Sequence, residues 1–252
     1  VILPALNVSI VRMKKLLVLI IVVFVSNAIW GQYLGASPID AANVTKWSPK
    51  FKMEYFGVYH FGDSEGESTL VLFNTGNEII AQIKSGLWDV DAKTAERICV
   101  YKNLTNVTID KNGRFQSDKY QGEFVIYTNN GKRIKCLKIY DSWSNLSEKE
   151  EEYELGRRVN SKISEEFYGE YANASFENLI PENLEKMSSK ALQIMRNEIF
   201  ARYGYQFIEG GEMDTYFRQQ DWYRPQHSDV TKFLTSLEKR NIKLIKEIEG
   251  RR

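Results

Sequence analysis

Four turn clusters divide the chain between Phe51 and Tyr140: "GDSEGES" (62–68), "NTGN" (74–77), "DKNG" (110–113) and "TNNGK" (128–132). Their Gly, Asn and Asp supply the positive backbone φ angles that tight hairpin turns require. Between them lie short segments rich in β-branched and aromatic residues: "FKMEYFGVYHF", "STLVLF", "EIIAQIK", "ERICVYK", "NVTID", "GEFVIYT" and "RIKCLKIY". In "GEFVIYT", Phe124 and Ile126 alternate with Val125 and Tyr127, so that one strand face meets a core. Seven or eight such strands predict an antiparallel β domain over residues 45–141. It is either a meander or a small barrel, and whether it closes is left open at this level.

Further along, the period changes. Residues 142–175 carry the charge run "SEKEEEYE" (147–154), which reads as a solvated linker or surface helix. From Ser188 the apolar residues recur at helical spacing. Ser188 or Ser189 is suited to cap a helix, and Leu192, Met195, Ile199 and Tyr203 form one stripe. Gly204 falls where a left-handed terminating residue belongs. A second short helix carries Met213, Tyr216 and Phe217 and ends before Pro225, which restricts Arg224 to extended geometry. A third begins near Thr235 or Ser236 and aligns Leu237, Leu244, Ile245 and Ile248. The expected fold class is therefore α+β, an antiparallel β domain followed by a small C-terminal three-helix domain over 176–250. So short a unit has little core to spare.

The N-terminus predicts a destination. Met13-Lys14-Lys15 precedes the apolar run Leu16 to Val25 and the small residues up to Gly31. A basic end, about ten apolar residues and a small-residue boundary describe a secretory signal peptide over residues 1–31. Residues 1–12 read as an overcalled start. Cleavage after Gly31 leaves Gln32 as the new end, and cleavage after Ala28 is the alternative. The run is short for a bilayer span, which needs about 20 residues, although an uncleaved segment would act as an anchor. Cleavage removes Arg12, Lys14 and Lys15 and no acid, turning a formal charge of +1 into −2. Neither value carries the basic excess of a nucleic-acid binder. Export would permit a disulfide between Cys99 and Cys136, while burial as small hydrophobes is the alternative for two cysteines in strands.

The segments "LQIMRNEIFARYGYQF", "YFRQQDWYRP" and "LEKRNIKLIKEIE" closely resemble the YARHG domain, a small bacterial domain of exported and membrane-attached proteins. The family motif Tyr-Ala-Arg-His-Gly reads here Phe200-Ala201-Arg202-Tyr203-Gly204. Arg196, Asn197 and Glu198, then Trp222, Tyr223 and Pro225, and later Asn241 agree with the pattern. The resemblance covers about residues 176–250. It implies an exported protein, periplasmic or extracellular, and carries no activity with it.

Physically, Phe200, Tyr203, Tyr205 and Phe207 bring large apolar area to a unit short of core. Arg202 is expected to tie down carbonyls or carboxylates of the loop around Asp221, with Glu198 as a helical ion-pair partner four residues earlier. Asn241 interrupts an apolar stripe and is expected to bond backbone. A binding role is the alternative for Arg202, Arg196 and Tyr203, and aromatic stacking on sugars for Trp88 and Tyr127. No catalytic residue, metal site or cofactor motif is indicated. His60 and His227 lack partners at ligand spacing, and no Gly-rich phosphate loop or nucleophile elbow occurs. The expected function is a non-catalytic one, binding or organising an envelope glycan or protein, with membrane contact only through an uncleaved leader. A cell-wall-acting enzyme with its site in the β domain is one alternative. A small-ligand or lipid carrier is another, should the β domain be hollow.

Overall fold

The Asn-Gly pair of "TNNGK" shows how the turns set the register. Asn130 and Gly131 take φ of +47° and +75°, and Asn129 pairs directly with Lys132 across a two-residue hairpin. The computed structural model describes residues 32–35, 37–63, 66–89, 96–144 and 152–252. The signal-peptide reading of residues 1–31 lies outside them. The described strands are β1 (Gln32–Leu34), β2 (Ser37–Pro38), β3 (Val44–Lys46), β4 (Gly57–Phe61), β5 (Ser68–Asn74) and β6 (Ile79–Asp89), then β7 (Glu96–Leu104), β8 (Thr108–Ile109), β9 (Arg114–Gln116), β10 (Gln121–Asn129), β11 (Lys132–Tyr140) and β12 (Tyr153–Arg158).

They form one sheet in the order β7-β6-β5-β4-β12-β11-β10-β9-β8, with β1 beside β12 and β3 beside β10. The path ends at β7 and β8, so the sheet is curled but open, a half-barrel. Its concave side is filled. Tyr59, Phe61, Leu70, Leu72, Phe115, Phe124, Leu137 and Ile139 are all fully buried there. Tyr55 stacks on Phe124 at 4.3 Å between ring centroids, and Trp47 meets Tyr55 edge-on at 5.2 Å.

One strand corrects the reading of residues 142–175 as a charged linker. Tyr153–Arg158 lies inside the sheet, pairing with β11 on one side and with β4 and β1 on the other. The acids of "SEKEEEYE" misled because two of them are not solvated: Glu152 and Glu154 are buried. Glu154 accepts hydrogen bonds from the Gly62 N–H at 2.7 Å and from the Ser142 hydroxyl at 2.6 Å. Gly156 is required by close approach, since a Cβ there would lie 2.1 Å from the Phe61 ring.

The C-terminal part contains the expected three helices and a short extra one. These are α1 (Pro181–Leu184), α2 (Ser189–Arg202), α3 (Glu212–Phe217) and α4 (Ser236–Glu249). Pro181 starts α1, where a first-turn N–H has no helical partner to lose. Ser188 caps α2 through the Ala191 N–H, and Thr235 caps α4 in a reciprocal box with Glu238. Leu192, Met195, Ile199 and Tyr203 pack as one stripe against Ile242, Ile245 and Ile248 of α4 and against Val230, Phe233 and Leu234. The helices lie on the other face of β5 and β6, where Val71, Phe73 and Ile80 meet Leu237, Phe167 and Phe176.

Candidate functional site

Where the helices meet the sheet, the interface carries a chain of buried polar side chains. Arg202, at the C-terminus of α2, has its side chain almost wholly enclosed. It donates to the Tyr168 carbonyl at 2.5 Å, to the Ser175 hydroxyl at 2.7 Å and to the Glu198 carboxylate. Glu198 also accepts from the backbone N–H groups of Glu170 and Tyr171 at 3.0 and 2.8 Å. Arg202 thus fastens the Tyr168–Ser175 segment, and not the loop around Asp221 that the sequence suggests. Three acceptors satisfy a planar guanidinium that would be costly to bury alone.

Ser175 passes the chain on, donating to Glu238 at 2.6 Å. Glu238 is fully buried and also accepts from the Tyr203 hydroxyl at 2.7 Å and the Thr235 N–H at 2.8 Å. Burial pushes the Glu238 carboxyl above its ordinary value, against the pull of these hydrogen bonds. Glu198 is raised likewise by burial, with Arg202 opposing. Burial also holds the Tyr203 phenol well above its usual range. From Tyr203 the network crosses to the sheet. Gln82 of β6 donates to the Tyr203 oxygen at 3.1 Å and to the Phe233 carbonyl at 2.8 Å. Beside it, Asn103 of β7 donates to the carbonyls of Phe233 and Leu234, each at 3.0 Å.

A groove runs along the exposed side of this seam. A pocket of about 290 Å³ is lined by His60, Glu67, Thr69, Lys84, Arg97 and Glu166 among others. It continues into a narrower recess of about 40 Å³ beneath Tyr101, Tyr168 and Tyr203, with Lys84 and Glu166 in both walls. Lys84 is half-buried and carries no ion pair among the described residues. Glu67 faces Arg97 at 3.7 Å and His60 at 3.8 Å, both loose pairs. The groove therefore carries side chains of both charges on a partly apolar lining, with Lys84, unpaired among the described residues, in both of its parts.

Of the five residues read as candidate binders, Arg202 and Tyr203 meet in the wall of the narrow recess, and the other three lie elsewhere. Arg202 and Tyr203 belong to the buried network, where their polar atoms are already engaged. Arg196 forms a two-point pair with Glu249, 2.8 and 3.3 Å, joining α2 to α4. Tyr127 is buried among Val125, Cys136 and Leu155 on β10, away from the groove strands β5, β6 and β7. Trp88 alone is open, 49% exposed, at the end of β6 where its cross-strand partner Arg97 enters the groove. The remaining motif residues are spent on architecture. Asn197 donates to the Gln193 carbonyl at 2.8 Å. Asn241 bonds three backbone groups, of Ala174, Glu177 and Leu179. Ala201 and Tyr223 pack around Phe217, with Trp222 half-buried at the edge of that cluster. Gly204 has φ +73° and lies against the Arg224 carbonyl, just before Pro225.

Cys99 and Cys136 are free thiols, which corrects the bridged reading. Their strands β7 and β11 are separated by β6, β5, β4 and β12, whereas a disulfide needs Cα atoms within about 7 Å. Cys136 is fully buried, and burial pushes its thiol up to about 12. His227 lies 2.8 Å from the Cys99 carbonyl through its Nε2, closing part of the β7 edge.

Sequence reasoning missed Gln82, Asn103, Lys84 and Glu238. A signal existed for the first two, which are amides interrupting apolar strand runs at directly paired positions. Glu238 sits where a capping box puts a solvated acid, so nothing local marks it as buried. No curated protein and no solved structure matches this chain. Residues 169–250 match the YARHG domain, and the match begins at the segment that Arg202 and Glu198 hold in place, so this helical portion of the chain is a YARHG domain.

Proposed function

We propose that the chain is an exported, non-catalytic binding protein of the bacterial envelope, taking a glycan or a protein segment in the groove beside the sheet–helix seam. The observation that carries this reading is the packed concave side of the half-barrel together with a groove of mixed charge on the other face, where Lys84 is unpaired among the described residues. The packed concave side weighs against a small-ligand or lipid carrier. Glu154, Glu198 and Glu238 are saturated by donors, which leaves them no free face for acid–base work. Glu67 and Glu166 do face the groove, but apolar groups do not enclose them as they would enclose a general acid. Export is supported by the Met13–Gly31 pattern and by the exported proteins in which the YARHG domain is typically found. Among the described residues no helix is long and apolar enough to cross a membrane.

The test is calorimetric titration with soluble cell-wall glycan fragments, followed by chromatography of the recovered glycan. Saturable binding is expected, weakened about tenfold or more by Lys84→Ala, as for a lost charge-assisted hydrogen bond. The glycan should be recovered intact. Cleaved glycan would move the protein to the enzyme reading, and no binding by any fragment would leave a protein ligand as the occupant.

A further inference from the structure

The loop "KWSPKFKMEYF" (46–56) presents two large apolar side chains to solvent. Phe51 and Met53 are 62% and 64% exposed, although they lie among residues that the fold buries thoroughly. Trp47, Tyr55 and Phe56 are each no more than 6% exposed. The loop is also firmly held. The Trp47 N–H donates to the Phe124 carbonyl at 3.1 Å, and the Tyr55 hydroxyl donates to the Trp47 carbonyl at 3.1 Å. The Tyr59 hydroxyl donates to the Tyr55 carbonyl at 2.6 Å. At the tip the Phe51 N–H is closed onto Glu54 at 3.1 Å, opening the turn Lys52–Tyr55. Phe51 and Met53 therefore point outward because their neighbours are pinned inward, and not through slack in the chain.

The surroundings of the tip are basic. Lys46, Lys50 and Lys52 are exposed, with the Lys50 ammonium 5.2 Å from the Phe51 ring centroid. From β11, Lys135 approaches the same turn, 3.6 Å from Glu54 and 4.6 Å from the Trp47 ring centroid. Two acids lie near. Glu54 is occupied by Lys135 and by the loop backbone, and Asp110 is faced by Arg114 and Lys46. An apolar tip rimmed by lysines matches what an anionic bilayer surface takes, with aromatic and aliphatic groups at the headgroup boundary and ammonium groups among the phosphates.

We propose that this loop is a membrane-contact patch, inserting Phe51 and Met53 at the surface of an anionic lipid bilayer while Lys46, Lys50, Lys52 and Lys135 face its phosphates. The patch is a second means of membrane contact, besides an uncleaved leader, and is independent of the groove.

Co-sedimentation of the purified protein with vesicles tests it, using phosphatidylcholine alone and phosphatidylcholine mixed with phosphatidylglycerol. Binding to the neutral vesicles sets the background from any other apolar segment. The excess on anionic vesicles should fall about tenfold or more in Phe51→Ser/Met53→Ser, as two partly inserted side chains are lost. In Lys50→Gln/Lys52→Gln it should fall about 25-fold, taking about fivefold for each lysine near an anionic surface. Both pairs are exposed, so the melting temperatures of the variants should match wild type, and added salt should weaken wild-type binding. Equal binding to neutral and anionic vesicles, or equal binding by wild type and both variants, would overturn the proposal. So would a patch that binds an acidic protein while ignoring anionic vesicles.

Discussion

Arg202 shows how fully a motif residue can be engaged within the fold. Its three partners come from three places: the carbonyl of Tyr168, the hydroxyl of Ser175 and the carboxylate of Glu198 one turn back. A lysine keeps the charge but not the fork, so Arg202→Lys should destabilise nearly as much as Arg202→Ala. Both losses should be about 3–5 kcal/mol, the usual result of breaking a buried ion pair, read by denaturant unfolding. Wild-type stability in both variants would mean that the enclosure of Arg202 is dispensable. Glu238 gives a pH signature. Burial raises its carboxyl above the unfolded value, so between the two values the folded chain binds more protons than the unfolded one. The stability it contributes is then fullest at and below the ordinary glutamate range and is lost as pH rises through the folded value. Glu238→Gln removes this titration. The wild type should gain melting temperature relative to Glu238→Gln as the solution is taken from about pH 7 to about pH 5, and a constant difference would contradict it.

At the scale of elements, the helices were the more legible part. Ser188 and Thr235 cap where their side chains can reach an orphan N–H, and the stripe at Leu192, Met195, Ile199 and Tyr203 is buried as its spacing requires. Local chemistry also marks the hairpins, because positive φ leaves few residue choices. The strand β12 was not legible. Its residue Glu154 is buried and held by Gly62, Ser142 and Ser144, partners that no local pattern announces. Gly156 in the same strand makes room for Phe61. Gly156→Ala should destabilise by about 1–3 kcal/mol through overpacking, measured as a shift in denaturation midpoint. An unshifted midpoint would show that Phe61 has space to move.

For the whole molecule, the seam is what turns a β half and a helical half into a platform with a groove. The groove was invisible in the sequence because its walls come from β4, β5, β6, β7 and the segment around Glu166, far apart in the chain and each unremarkable locally. The seam itself depends on distant pairs, Gln82 with Tyr203 and Asn103 with the Phe233 carbonyl. Apolar contact through Leu237, Phe167 and Phe176 surrounds them. The YARHG domain is thus built onto the sheet through the very tyrosine that occupies the histidine position of its name. The most direct measurement is a double-mutant cycle on Gln82→Ala and Tyr203→Phe, followed by scanning calorimetry. A coupled seam predicts an interaction energy of about 0.5–3 kcal/mol and a single unfolding transition in wild type. Additive effects together with two separate transitions would show that the sheet and the YARHG domain fold independently.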